Sequence, residues 1–278
     1  KFYRPGRWRD EAIREEHAFA QALAAEEVPA VAPLALEGSS LHHHAGFAFS
    51  VCPRRGGRAP ELDDDEVLEW IGRFLARIHT VGAKAPFAHR PMLDLRGFGT
   101  ASRDWLLQHH KVPLDVEGAW RKTCDAALAA VAQALGAEEG YDPQFRLLRL
   151  HGDCHPGNIL WTPDEGPHFV DLDDARTGPA VQDLWMLLSG ERAQRNRQLG
   201  ALLDGYDQVR DFDRRELALI EPLRTLRLIH YSAWLARRWD DPAFPAAFPW
   251  FGSSDYWKGQ VQMLEEQLEA MAEPPLVA

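Results

Sequence analysis

The sequence predicts an α+β chain in two unequal parts: a small mixed α/β part over residues 1–53 and a larger, mainly helical part over 54–278. Three observations predict it. Helix-like and strand-like stretches alternate up to residue 53, where Pro53-Arg54-Arg55-Gly56-Gly57-Arg58 has loop chemistry. Beyond Pro179 the apolar residues recur at helical spacing. In between, three short apolar runs are separated by turn residues, the pattern of small strands placed near the start of a helical region.

Lys1-Phe2-Tyr3 opens in the middle of a strand pattern with no turn or cap before it, so a preceding segment is expected. Residues 10–27, rich in Ala and Glu, read as a helix with Ile13, Phe19 and Leu23 on one face. Prolines break the next stretch, and two β-like runs follow, around Ala35 and over 46–52. Asp63-Asp64-Asp65-Glu66 then supplies an N-cap and an acidic first turn. Val67, Ile71, Phe74, Leu75 and Ile78 continue it as an apolar stripe, and Gly82 reads as its stop. Residues 102–109 and 117–135 are expected to be helical, and 147–150, 159–161 and 169–172 to be short strands. The final helices are expected over 179–190, 194–208, 213–239 and 254–272, with Pro222 kinking or restarting the third.

Composition narrows the function. The net charge is −11, from 31 basic and 42 acidic side chains, so the global field repels a phosphate backbone and no nucleic-acid partner is expected. There is no apolar run of the roughly 20 residues that a membrane span needs, and no apolar stretch follows Lys1 as in a signal peptide. Cys52, Cys124 and Cys154 are odd in number and form no CxxC pair, which argues for a reduced, cytoplasmic chain without a zinc site. His42-His43-His44 cannot converge on one ion, because neighbours on a strand alternate faces; a solvated strand edge is the reading. The ten tryptophans read as packing and not as a base-stacking platform.

The chemistry lies in Leu150-His151-Gly152-Asp153-Cys154-His155-Pro156-Gly157-Asn158-Ile159-Leu160 and in Phe169-Val170-Asp171-Leu172-Asp173-Asp174. These stretches put a carboxylate, an amide oxygen and a second carboxylate on loops flanking a short hairpin, with Gly152 and Gly157 permitting tight turns. Magnesium takes oxygen ligands, usually one or two carboxylates completed by substrate phosphates. Asn158 and Asp171 fit that need, and Asp153 then faces the attacking hydroxyl instead of the metal. A lone Asp or Asn would simply make a turn. The whole pattern between apolar strands points to chemistry.

HGDxHPGN followed by a strand ending in Asp resembles the catalytic and metal loops of the aminoglycoside phosphotransferase and choline kinase group, relatives of the protein kinases. Four phrases are similar, more closely still, to the bacterial stress response kinase A (RdoA) family of serine/threonine protein kinases. They are KFYRPGRW, LRLHGDCHPGNILW, FVDLDDARTGPAVQDLWMLLSG and WLARRWDDPAFPAAFPW, and they span nearly the whole chain. The resemblance implies a bilobal protein-kinase-like fold with an N-lobe in 1–53 that is incomplete here and a C-lobe in 54–278. It implies a monomer using ATP and Mg2+, with Asp153 orienting and deprotonating the acceptor hydroxyl and Asn158 and Asp171 binding Mg2+. Lys1 resembles the strand lysine that contacts the α- and β-phosphates, and Glu16 its ion-pair partner, with Glu15 as the neighbouring alternative. The segment 49–53, with Val51 and Cys52, resembles the hinge whose backbone receives adenine. Asp183 is expected to hold the catalytic loop by hydrogen bonds.

Two departures from the family pattern matter, the first for nucleotide binding and the second for the acceptor. The loop that covers the phosphates precedes the strand lysine in kinase-like folds, so it is expected upstream of Lys1. The stretch 171–178 is shorter than a protein-kinase activation loop and carries no APE motif, which favours a small alcohol as acceptor; the family resemblance favours a protein Ser or Thr. A pseudokinase that binds nucleotide without turnover is the third reading.

Overall fold

The structure, a computed structural model, describes residues 1–137 and 140–278. In chain order the elements begin with β1 (Phe2–Tyr3), α1 (Asp10–Ala25), β2 (His42–His44), β3 (Phe47–Phe49) and α2 (Asp65–Gly82). A π-helical turn at Leu95–Thr100 leads into α3 (Ala101–Gln108), followed by α4 (Leu114–Leu135). Four short strands come next: β4 (Leu148–Leu150), β5 (Ile159–Thr162), β6 (Gly166–Phe169) and β7 (Arg176–Gly178). The chain closes with α5 (Gln182–Trp185), α6 (Arg192–Asp207), α7 (Ile220–Ala236), α8 (Ala243–Ala247) and α9 (Ser254–Ala272).

These elements form two compact units, Lys1–Met92 with Arg146–Arg214 and Leu276–Ala278, and Leu93–Phe145 with Arg215–Pro275. In the first, an antiparallel sheet of order β1-β3-β2 packs against α1, where Tyr3, Ile13 and Leu41 make a small core flanked by Trp8 and Ala48. Its larger core lies under α2, whose Leu68, Ile71, Leu75 and Ile78 are fully buried. Asp64 caps that helix, accepting the Glu66 and Val67 N–H groups at 2.9 and 3.4 Å. Helix α6 crosses α2 at two glycines: a Cβ on Gly72 would drive into the Leu202 carbonyl, and one on Gly205 into the Glu69 carbonyl. In the second unit α4 packs on α9 and α7, with Trp120 and Trp257 edge to face, their ring centroids 5.3 Å apart.

Several elements depart from the sequence pattern. The strand expected over 169–172 is displaced to Gly166–Phe169, because the β5–β6 ladder runs from Thr162↔Gly166 to Ile159↔Phe169 and ends there. Asp171 then takes a left-handed conformation (φ 58°) that no strand continues through. The run around Ala35 forms no strand beyond a single Leu36↔Ser39 bridge. Pro29 and Pro33 deny that stretch two donors, and the N–H groups of Val31 and Leu34 go to different partners, the Phe169 and Val51 carbonyls. In the 213–239 stretch a 3-10 turn (Arg214–Leu219) precedes α7, and Pro222 sits in the first turn of α7, where its missing N–H costs nothing. Among the described residues no helix is long and apolar enough to cross a membrane.

Candidate active site

The β5–β6 hairpin sets the site. Val170 N–H donates to the Asn158 carbonyl at 3.0 Å, one step beyond the Ile159↔Phe169 pair, so Asn158 and Asp171 emerge at the same end of the hairpin. The Asn158 amide nitrogen donates to the Asp153 carbonyl at 2.9 Å, which fixes the orientation of the amide and so identifies its other atom as an oxygen acceptor. Asp171 keeps its carboxylate half-exposed. Hard oxygen donors of this kind suit a divalent cation shared with phosphate groups. Among the described residues no group of three or more His, Cys, Asp or Glu is placed to hold a metal ion.

The loop before the hairpin is held from behind. Asp183, fully buried, accepts the N–H groups of His151 and Gly152, each at 2.8 Å, and that of His79 Nε2 at 3.1 Å. His79 Nδ1 in turn accepts the Tyr206 hydroxyl at 2.9 Å. His151 Nε2 donates to the Val170 carbonyl at 2.9 Å, joining the loop to the strand that leads to Asp171. Gly152 has φ +84°, and a Cβ there would collide with the Asp174 carbonyl. His155 places Nε2 3.6 Å from Asp153 Oδ2, while its Nδ1 accepts the Gly157 N–H at 3.0 Å. Cys154 is fully buried, and burial pushes its thiol well above the ordinary range.

Lys1 meets this end of the hairpin from β1. Its Nζ lies 2.9 Å from Asp171 Oδ1, 3.3 Å from Glu16 Oε1 and 3.3 Å from Asp173 Oδ1. Burial alone would disfavour the ammonium, but Glu16, Asp173 and Asp171 outweigh it and the Lys1 pKa is raised. Burial raises the Glu16 carboxyl, opposed by the contacts with Lys1 and Arg90. Glu15, the alternative partner, turns away and accepts three backbone N–H groups, from Ala88, His89 and Arg90. Ser50 exchanges backbone hydrogen bonds with Lys1 at 2.8 and 2.9 Å. Val51 and Cys52 therefore follow directly from the strand beside the lysine. The Val51 carbonyl accepts the Leu34 N–H at 2.8 Å.

Arg7 and Arg90 escape a sequence reading. Arg7 pairs with Asp173 at 2.6 Å and Asp174 at 2.9 Å, and Arg90 pairs with Glu16 at 2.6 Å. Asp174 also receives Arg176 at 2.5 Å; burial opposes its charge, but Arg176 and Arg7 prevail and hold its carboxyl below the usual range. Asp173 and Asp174 are thus both paired with arginines, Asp173 nearly buried and Asp174 partly exposed. The available signal was the surplus of carboxylates at Glu16, Asp171, Asp173 and Asp174, which burial tolerates only with matching cations.

The profile of the phosphotransferase enzyme family matches residues 1–220. Stress response kinase A of Escherichia coli (strain K12) is 47% identical over 276 residues, covering 99% of this chain and 82% of that protein. The serine/threonine protein kinase RdoA of Salmonella typhimurium (strain LT2) matches with the same identity and coverage. The chain belongs to the stress response kinase A (RdoA) family. As a member of that family, within the phosphotransferase enzymes, it is a kinase. Solved structures agree on the fold at low identity. An amicoumacin kinase in complex with AMP-PNP, Ca2+ and Ami superposes with a TM-score of 0.71 at 17% identity, covering 100% of this chain and 82% of that one. A microcompartment-associated aminopropanol kinase gives 0.71 at 18% identity, covering 97% and 85%. This member of the stress response kinase A family therefore has the bilobal protein-kinase-like α+β fold.

Proposed function

We propose that the chain transfers the γ-phosphoryl group of ATP to the hydroxyl of a protein serine or threonine, with Mg2+ held between Asn158, Asp171 and the phosphates. Residues 1–53 form the nucleotide-side lobe in this reading, and 54–278 carry the catalytic and metal loops. One observation carries it: a single ammonium, Lys1 Nζ, lies within 3.3 Å of Glu16 and 2.9 Å of Asp171. A strand lysine, a helix glutamate and a metal-loop aspartate are thereby gathered at the place where phosphates would be neutralised. The names of the 47% identical relatives support a protein acceptor. The free cysteines at 52, 124 and 154 are in keeping with a cytoplasmic setting.

Each group then has one task. Lys1 binds the α- and β-phosphates, Val51 and Cys52 border adenine, and Asn158 and Asp171 hold the metal. A magnesium ion held by these two residues would supply neutralisation of the charge that builds on the phosphoryl oxygens. Asp153 accepts a hydrogen bond from the acceptor hydroxyl. As that oxygen bonds to the γ-phosphorus and the bond to the bridging oxygen of ADP breaks, the proton passes to Asp153. His155 Nε2, 3.6 Å from Asp153, borders that carboxylate.

A second reading has its own support. β7 pairs with β4 almost at once after Asp171, as Leu150↔Arg176, so no long segment follows the metal loop to dock a peptide. That favours a small alcohol as acceptor. ATP turnover with Mg2+ should be measured across protein and small-alcohol acceptors, for the wild type and for Asp153→Asn. The expected outcome is phosphoserine or phosphothreonine on protein, lowered about 10²- to 10⁴-fold in the variant. Label found only in a small alcohol would replace the protein acceptor, and undiminished transfer by Asp153→Asn would remove the role given to Asp153.

A further inference from the structure

Helix α1 is fastened to residues 88–90 from both directions. Glu15 accepts the backbone N–H groups of Ala88, His89 and Arg90 at 2.5, 2.8 and 2.9 Å. In return Arg90 sends its guanidinium under the helix. Nε donates to the Ala12 carbonyl at 2.9 Å and Nη2 to Glu16 Oε2 at 2.6 Å. Nη1 donates to the Asp173 carbonyl at 2.6 Å and, more loosely, to that of Ala175 at 3.4 Å. The Arg90 side chain has no exposure to solvent, and its guanidinium lies 4.4 Å from the centroid of the Trp8 ring. The strand segment that follows is pinned as well, since Thr177 N–H donates to the Pro91 carbonyl at 3.1 Å.

We infer that Arg90 is a positioning residue for phosphoryl transfer, fixing Glu16, and through it Lys1, against the 171–175 loop; the inference rests on the function proposed above. A planar guanidinium is suited to this because its donors point in fixed directions and can serve a carboxylate and several carbonyls at once, which an ammonium on a flexible stem cannot. In kinases with a long activation loop, the lysine–glutamate pair is set in place by loop phosphorylation and by the position of its helix. Here a buried side chain supplies the same constraint from inside the fold. Arg90 touches neither substrate nor metal in this scheme and acts only through Glu16 and the loop backbone.

The test is a double-mutant cycle on the full chain with Arg90→Lys, Glu16→Gln and the double variant. It reads kcat/KM for Mg·ATP together with the thermal midpoint of each protein. Each single substitution is expected to lower kcat/KM by roughly ten- to a hundredfold, and the double variant to be no more than about threefold worse than either. A second arm uses Arg90→Ala, whose activity should be partly restored by added ethylguanidinium. If the alanine variant does not fold, the lysine variant still decides. Losses that multiply in the double variant would show that Arg90 does not act through Glu16. Wild-type kcat/KM in Arg90→Lys, at a temperature where it is folded, would overturn the inference whatever its thermal midpoint. Full activity in Glu16→Gln would be a different failure, removing the role given to the Lys1–Glu16 pair and this inference with it.

Discussion

Asp183 and His17 show how much single buried groups carry. Asp183 holds two backbone N–H groups of the catalytic loop and the imidazole of His79 with no solvent access. Asp183→Ala would strand all three donors, and a loss of about 3–5 kcal/mol is expected in urea unfolding. His17, almost fully buried, shares one nitrogen with the Tyr3 hydroxyl at 2.7 Å and the other with Ser40 at 2.9 Å. Burial first, then the charges of Lys1, Arg90 and Arg14, lower its pKa from 6.5 to about 4. Between those values the unfolded chain binds the proton and the native one does not, so stability falls as pH drops from 6.5 towards about 4. His17→Phe should flatten that part of the pH–stability curve; an unchanged slope would assign the acid sensitivity to other groups. The spacing of Asp153, Asn158 and Asp171 was what pointed to chemistry, whereas Lys1, Glu16 and Asp183 were singled out only through the family resemblance. The structure brings Lys1 into contact with Glu16 and Asp171 and joins Asp183 to the 151–152 backbone. Arg7 and Arg90 were not legible, since one arginine among many looks like any surface cation until its partners are placed.

Among the elements, α2 and α6 meet through glycines, and the two sides of that crossing predict opposite signs. Ala at Gly72 gains about 1 kcal/mol of helix propensity but drives a methyl into the Leu202 carbonyl, a strain of about 3 kcal/mol, for a net loss of about 2 kcal/mol. Gly200, on the same α6, has nothing within 4 Å of an added Cβ, so Gly200→Ala should stabilise by about 0.5–1 kcal/mol. Thermal midpoints of the two variants, moving in opposite directions, check the pair. The long helices were readable because they announce themselves locally: Asp64 caps α2 and an apolar stripe follows it. The strand near 169 was misplaced because its register is set by the hairpin turn at 163–165 and by the partner strand, neither of which is written in the strand's own residues. The glycines of the α2–α6 crossing were not legible as such, since Gly200 sits in the same helix as Gly205 with open space around it and only the placed partner helix tells the two apart.

At the scale of the molecule, every residue assigned to the site lies in the first compact unit. Mg·ATP at about 100 times its dissociation constant should stabilise the folded protein by about 2.7 kcal/mol. Hydrogen exchange should slow mainly in α1, β1 and the β5–β6 hairpin. Asp171→Ala should lose the metal-dependent part of that shift, whereas Gly200→Ala should retain it; equal shifts in both would remove Asp171 from the metal site. One feature of the catalytic loop also bounds how such an enzyme can be altered over time. Protein kinases carry an arginine where this loop has Gly152, in HRD against HGD. Here the position has a left-handed backbone, and the space a Cβ would need is filled by the Asp174 carbonyl. An arginine cannot be gained at that position by a single substitution without displacing the 171–175 loop. Control of this kinase by a phosphate seated on an arginine at position 152 therefore lies beyond a one-step change.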